Sequence, residues 1–154
     1  MKITLLKFTA FLLIVTGSFS SCREKEYNYP IDIPFTEYSL KETLCHWTNL
    51  NYDNKLIVIN NNSELRNYIN CSGGTYPEVD FSRHNLLLVS GRVGGVIKIN
   101  TRFLQLSANE YKLDIEIIRG SWHPGLEEPW DLALIVKKMN QKDHIEINVT
   151  TIES

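Results

Sequence analysis

The clearest pattern in the chain is the alternating stretch Tyr111-Lys112-Leu113-Asp114-Ile115-Glu116-Ile117. Every second residue is apolar, and the residues between them are charged. Because successive side chains of a β-strand point to opposite faces of a sheet, this period of two predicts a strand with one buried and one solvated face. The same alternation returns near the C-terminus, where Ile145, Ile147 and Val149 are separated by polar residues. The second half of the chain is therefore expected to form amphipathic strands.

Two shorter stretches are apolar without alternation, Leu56-Ile57-Val58-Ile59 and Leu86-Leu87-Leu88-Val89. Their length and branched side chains favour strands that are buried on both faces. Further strands are predicted at Val96–Ile99 and Leu132–Val136. Gly94-Gly95 is interpreted as a hairpin turn between two strands.

One segment has the spacing of a helix. Ser63 can cap a helix N-terminus, and Leu65, Tyr68 and Ile69 follow at helical spacing. We therefore predict a short helix near residues 63–70, with its apolar stripe packed on the sheet.

The predicted order is a strand, a helix and then several strands at short spacing. This order indicates a mostly β fold in which an antiparallel meander curls toward a barrel or a sandwich. Residues 36–154 are assigned to this single domain, which is long enough for a hydrophobic core.

The N-terminus has the three zones of a secretory signal peptide. Lys2 and Lys7 carry positive charge, Phe8–Val15 is almost entirely apolar, and small residues follow. The apolar run is shorter than the roughly 20 residues that a transmembrane helix needs. Residues 1–21 are therefore predicted to be removed on export.

Ser20-Ser21-Cys22 resembles the lipobox of bacterial lipoproteins, in which small residues precede a cysteine that becomes acylated. The resemblance implies lipid chains on Cys22, which anchor a protein stably when there are two or more. Residues 22–35 are then the anchor and a linker. The expected location is the cell envelope, on the outer membrane of a Gram-negative bacterium. The alternative is a soluble exported protein in which Cys22 is an ordinary thiol.

The chain has three cysteines, and acylation of Cys22 leaves Cys45 and Cys71. Two thiols in an oxidising compartment predict one disulfide, which closes a loop of about 26 residues and stabilises the fold by ~3–4 kcal/mol. A metal pair and two buried free thiols are the alternatives. His46 would point to the opposite face of a strand from Cys45, so the two would not chelate together.

The best candidate for a binding site is the loop that runs from Gly120 to Trp130. Its candidate binding residues are Trp122, His123, Glu127, Glu128 and Trp130. Tryptophan is common among the dominant contact residues of interfaces, and the prolines of the loop lower the ordering penalty of binding. The alternative is that the tryptophans cover an open end of the sheet.

The sequence gives no support for catalysis, a metal or a cofactor. A catalytic triad needs converging residues, whereas His46, His84, His123 and His144 are scattered along the chain. His123, Glu127 and Glu128 match no metal-ligand spacing. A formal net charge of −2 and the lack of a basic stretch argue against nucleic acid as a partner. We therefore expect a non-catalytic protein.

Several short motifs follow one another in order between Lys55 and Val136. They are Leu56–Ile59, Ser63-Glu64-Leu65, Val79-Asp80-Phe81-Ser82 before Leu86–Val89, Gly94-Gly95-Val96-Ile97-Lys98-Ile99, and Pro129-Trp130. In these motifs and their order the segment resembles the C-terminal domain of PrcB-type lipoproteins, which are subunits of a bacterial protease complex. The chain departs from the family at the glycine pair, where an aromatic residue would follow. The resemblance implies a non-catalytic domain that works beside a protease, and it transfers no catalytic residue.

The preferred function is a membrane-anchored binding module whose partner is a protein such as a protease. The second is a small protease inhibitor that presents the 120–130 loop or the Gly94-Gly95 turn. The third is an accessory lipoprotein that binds carbohydrate or peptide through tryptophans.

Overall fold

The computed structural model describes residues 28–120 and 126–154. Within these ranges the chain forms ten β-strands and one α-helix. In chain order they are β1 (Ile31–Asp32), β2 (Phe35–Glu37), β3 (Cys45–Trp47), β4 (Leu56–Ile59), α1 (Asn62–Arg66), β5 (Ile69–Cys71), β6 (His84–Val93), β7 (Val96–Gln105), β8 (Glu110–Arg119), β9 (Glu128–Lys137) and β10 (His144–Glu153). The predicted signal peptide and Cys22 lie outside the described residues. No helix within the described ranges is long and apolar enough to span a membrane.

The strands form two four-stranded sheets and one two-stranded sheet. Sheet A has the order β1-β7-β8-β10, sheet B has the order β2-β9-β6-β4, and sheet C pairs β3 with β5. All pairings are antiparallel except that of β10 with β8. The prediction of a mostly β fold with antiparallel sheets is thus confirmed.

Sheet B is the middle layer. Leu87 and Val89 of β6 pack with sheet A in one core, and Leu86 and Leu88 pack with α1 and sheet C in the other. All four side chains are at most 1% exposed. The prediction of a strand buried on both faces is therefore confirmed for Leu86–Val89.

The same prediction is wrong for part of β4. Ile59 is buried, but Val58 is 39% exposed. The reason is that β4 is the last strand of sheet B, so one of its sides has no neighbouring strand to cover it. A continuous apolar run therefore does not require that both faces of the strand are buried.

The helix α1 is shorter than predicted. Its N-cap is Asn61, whose side chain accepts a hydrogen bond from the Glu64 N–H at 2.9 Å, and not Ser63. The helix ends at Arg66, and Ile69 already belongs to β5, where it pairs with Trp47. Tertiary pairing with β3 outweighs the local helical spacing.

Cys45 and Cys71 form the predicted disulfide. They face each other directly across the β3–β5 pair, with Cα atoms 4.0 Å apart. The bond therefore holds sheet C together at its first paired position.

The strand order differs from a simple meander. Gly94-Gly95 joins β6 of sheet B to β7 of sheet A, so it carries the chain across the sandwich and is not a hairpin within one sheet. Gly95 has φ of 67°, which a glycine adopts without strain. Ile31 and Asp32, part of the linker in the sequence interpretation, pair with β7 and so belong to the fold.

Candidate functional site

The structure separates the residues of the predicted binding loop. Trp122 and His123 lie outside the described residues. Glu127 and Glu128 are exposed at the start of β9. Trp130 is only 5% exposed, and its ring lies so close to Gly91 that an added Cβ there would come within 2.7 Å of it. Trp130 therefore belongs to the core, which corrects its prediction as a binding residue.

Among residues 28–120 and 126–154, no three His, Cys, Asp or Glu side chains are grouped as a metal site would require.

Among the residues that the structure describes, the longest strand with no partner on its outer side is β10. Its register with β8 is parallel, and the His144 N–H donates to the Asn109 carbonyl at 2.8 Å. Ser154, at the other end, donates in the same way to Arg119 at 3.0 Å. In a parallel pair the backbone N–H and C=O of every second residue face the partner strand. The even-numbered residues of β10 therefore bond β8, and the odd-numbered residues from Ile145 to Glu153 direct their backbone groups outward.

The other edge strands present fewer unpaired backbone groups. Strands β1, β2 and β4 contain two, three and four residues, whereas β10 contains ten. Part of β7 also has no described partner on its outer side, but this part contains Lys98 and begins at a bulge between Val96 and Lys98. Bulges, lysine and proline are the usual protections of a strand edge. Strand β10 has no bulge in its pairing and contains neither lysine nor proline.

A groove of about 570 Å³ lies at the start of this edge, where Ile145 of β10 faces β4. Leu56, Val58 and Ile145 give it an apolar lining. Ile147 and Val149, further along β10, pack on the core but are only partly buried. The sandwich thus leaves apolar side chains beside a free row of backbone donors and acceptors.

Fixed polar groups form one end of the groove. Asn85 is 1% exposed, accepts a hydrogen bond from the Met139 N–H at 2.7 Å and donates one to Asn60 Oδ1 at 2.6 Å. Lys138 Nζ donates to the Phe81 carbonyl at 3.0 Å. Because these groups are already paired, the rim is preformed, as is usual for binding sites.

A second concave surface lies on the other side of sheet B, and we call it the Asp131 cleft. Its volume is about 440 Å³. It is lined by Glu37, Tyr38, Ser39, Leu40, Lys41, Thr43, Cys45, His46, Trp47, Tyr52, Asp131, Leu132 and Ala133. The rings of Tyr38 and Trp47 are 5.8 Å apart and tilted, and Tyr38, which is only 5% exposed, supports Trp47 from the core. Asp131 is an exposed residue of β9, and partial desolvation of its carboxyl raises its pKa, while the Trp47 side chain and the charge of Lys41 act in the opposite direction.

Tyr52 enters this cleft from a strained turn. Its φ of 54° lies in the left-handed region, which bulky side chains rarely adopt. Asn49 and Asn54 have similar φ values, which asparagine tolerates. The Arg92 guanidinium lies 5.0 Å from the centre of the Tyr52 ring. Strain of this kind is concentrated at functional sites, so the turn marks the cleft as a candidate.

Sequence reasoning missed both surfaces. The absence of lysine and proline from residues 144–153 was a readable signal for an unprotected edge. The run of turn-forming residues from Asn49 to Asn54 indicated left-handed positions beside Trp47. No sequence signal distinguished Asp131 from its neighbours, although it directly follows the predicted loop.

By fold, the described part of the chain is a disulfide-bonded β-sandwich with a third layer and a long edge strand, β10. No protein-family model matches it, and neither a curated protein nor a solved structure is significantly similar to it.

Proposed function

We propose that the protein is a membrane-anchored, non-catalytic binding module that holds a partner protein by strand addition to β10. The observation that carries this proposal is the outer edge of a ten-residue strand, unpaired among the described residues, beside a groove partly lined by Leu56, Val58 and Ile145. An extended segment of a partner can pair with such an edge through its backbone and place alternate side chains in pockets.

The energetics of strand addition suit a reversible contact. Each backbone hydrogen bond contributes a net stabilisation of about 1 kcal/mol, and apolar side chains that enter the groove add about 25 cal/mol per Å² of buried area. The solvent-exposed face of sheet A beside β10 is polar, and Asn148 donates to Asp114 there at 2.9 Å. We therefore expect the added strand to alternate, with apolar side chains toward the groove.

The backbone contribution is tested by a proline that spares the internal ladder. Thr151 is exposed and directs its N–H outward, so Thr151→Pro removes an edge donor without breaking a bond to β8. Thr151→Val is the matched control, because it keeps the N–H. In pull-downs from the native membrane in mild detergent, we expect the parent chain and Thr151→Val to recover a partner and Thr151→Pro to recover severalfold less.

Two outcomes would contradict the proposal at different levels. Equal recovery by Thr151→Pro would overturn the role of the edge. Recovery of no partner by the parent chain would count against a binding module of any kind. The resemblance to PrcB-type lipoproteins suggests a protease as the partner, and a protease in the recovered material would support it.

The anchor is part of the proposal and has its own test. If Cys22 is acylated, the chain should label with palmitate and sediment with the outer membrane, and Cys22→Ser should lose both properties. Thr151→Val is the control, since it changes an exposed residue of β10 and leaves all three cysteines in place. Membrane association of Cys22→Ser equal to that of the parent chain would refute lipid anchoring.

A protease inhibitor is the second candidate, and the exposure of Ile97 favours it. This side chain is 65% exposed beside the Gly94-Gly95 turn, and Leu126 is 76% exposed. Exposed apolar side chains next to a tight turn suit insertion into a protease cleft. Inhibition of a protease by the parent chain but not by Ile97→Asp would select this function.

A further inference from the structure

We propose that the outer edge of β10 pairs with the same edge of a second copy of this chain. The two strands run antiparallel about a two-fold axis at Val149, so that sheet A continues across the axis into the second copy. This inference rests on the proposed function, since it names what occupies the edge when no other partner is bound. Closed two-fold pairs of this kind bring one surface patch against itself.

The first argument is that the full length of the strand can take part. The outward backbone groups of β10 belong to Ile145, Ile147, Val149, Thr151 and Glu153. In an antiparallel pair, residues that direct these groups toward each other lie opposite one another and exchange two hydrogen bonds. With the axis at Val149, that residue lies opposite its own copy, Ile147 lies opposite Thr151, and Ile145 lies opposite Glu153. Any other position of the axis leaves some of these groups without a partner.

The second argument is the distribution of charge. Glu146 and Glu153 are the acidic residues of β10, and the strand contains no lysine or arginine. In the register centred on Val149, Glu146 lies opposite Ile152 and Glu153 lies opposite Ile145, so no carboxylate directly faces another. Like charges at opposite positions destabilise a strand pair, as would occur with the axis at Glu146. The register that uses the whole edge therefore also avoids opposed charges.

The third argument is the apolar surface that this edge leaves uncovered. Ile152 is 43% exposed although it lies within the strand. On the other face of β10, Ile147 and Val149 pack on the core but are only partly buried. In the pair, each of the three gains the side chain opposite it as a neighbour, on both faces of the sheet. An unprotected strand edge is a ready template for this kind of contact.

Cysteine cross-linking of the purified full chain in mild detergent tests the register. Opposite Cα atoms in a hydrogen-bonded antiparallel pair are about 5.5 Å apart, which lies within the range of a disulfide. We therefore expect Val149→Cys to form a disulfide-linked dimer on oxidation, visible on a non-reducing gel. Thr151→Cys is the matched control, because its two copies would lie roughly 14 Å apart. The parent chain controls for a bridge through Cys22.

A mixture of two variants keeps the test decisive if Val149→Cys does not fold. Ile147→Cys and Thr151→Cys lie opposite each other in the proposed pair, so the mixture should form linked dimers while each variant alone should not. Linked dimers of Thr151→Cys as abundant as those of the mixture would overturn the proposed register.

Sedimentation equilibrium measures the self-association itself. The parent chain and Thr151→Val should approach the mass of two chains as the protein concentration rises. Thr151→Pro removes one outward N–H from each copy and should weaken self-association about tenfold or more. A parent chain that stays monomeric, or equal self-association of Thr151→Pro, would overturn the inference.

The results also separate this inference from the proposed function. A monomeric parent chain that recovers a partner protein through the β10 edge would leave the function in place and remove the second copy. A cross-linked pair with the expected register and no recovered partner would do the reverse.

Discussion

At the scale of single residues, Asp131 should lower the stability of the fold at neutral pH. Partial desolvation raises its pKa in the folded state, so the folded chain binds the proton more tightly than the unfolded chain does. The stabilisation from this group is therefore fully present below the pKa of an unfolded-chain aspartate, about 3.9. It is lost as the pH rises through the pKa of Asp131 in the folded state. We expect Asp131→Asn to raise the urea midpoint at pH 7, and this gain to shrink as pH falls through the folded pKa. A lower midpoint for Asp131→Asn at pH 7 would contradict the sign.

Thr101 offers a stabilising substitution of a different kind. Its hydroxyl oxygen is buried and has no hydrogen-bond partner among the described residues. Thr101→Val keeps the shape and removes the unpaired group, so we expect the free energy of unfolding to rise by about 1 kcal/mol. Urea denaturation measures it. Thr150→Val is the control, because Thr150 is an exposed residue whose hydroxyl makes only a long hydrogen bond, to the Ile115 carbonyl at 3.5 Å, so its substitution should change stability little.

The burial of the tryptophans could not be predicted from the sequence. Trp130 stood in a loop rich in glycine, proline and charge, which suggested exposure, yet it fills the core. Trp47 stood in an unremarkable strand and lines a cleft. Both outcomes depend on which neighbours cover each ring, such as Gly91 against Trp130. Residue type and local pattern contain no information about those contacts.

At the scale of elements, sheet C depends on its disulfide. Strands β3 and β5 have three residues each, and two-stranded ribbons of this size are marginal by themselves. The bond closes a loop with a sequence separation of 26 that contains β4 and α1. We expect the Cys45→Ala/Cys71→Ala double variant to lose about 3–4 kcal/mol of unfolding free energy.

Reduction provides the control for this prediction. The parent chain in dithiothreitol should unfold at the urea midpoint of the double variant, and dithiothreitol should not shift the double variant. A loss of less than about 1 kcal/mol would mean that packing alone holds sheet C in place.

Elements with one solvated face were the best predicted. Residues 111–117 and 145–149 alternate, and both lie in the predicted strands β8 and β10. The assignment of strands to sheets was not predictable, because Gly94-Gly95 suits a hairpin and a crossing between sheets equally well. The parallel pairing of β10 with β8 could not be predicted either. The alternating pattern shows which face of a strand is buried, but it does not show which strand will be its neighbour.

At the scale of the whole molecule, sheet B couples the two cores. Adjacent residues of β6 face opposite ways, so Leu87 packs in the core shared with sheet A and Leu88 in the core shared with α1 and sheet C. Neither core can be dismantled without exposing one face of this sheet. The three layers are therefore expected to unfold together.

Tryptophan fluorescence can test this coupling because the two cores contain different tryptophans. Trp130 lies in the sheet A core, and Trp47 packs against the other. In Trp47→Phe/Trp122→Phe and in Trp122→Phe/Trp130→Phe, the remaining fluorescence should follow the same urea transition as the far-ultraviolet circular dichroism. Leu88→Ala in either background should shift both signals by the same amount, equivalent to about 2–5 kcal/mol, although Leu88 faces only one core. If Leu88→Ala moved the Trp47 transition and left that of Trp130 in place, the layers would be independent units and sheet B would not couple them.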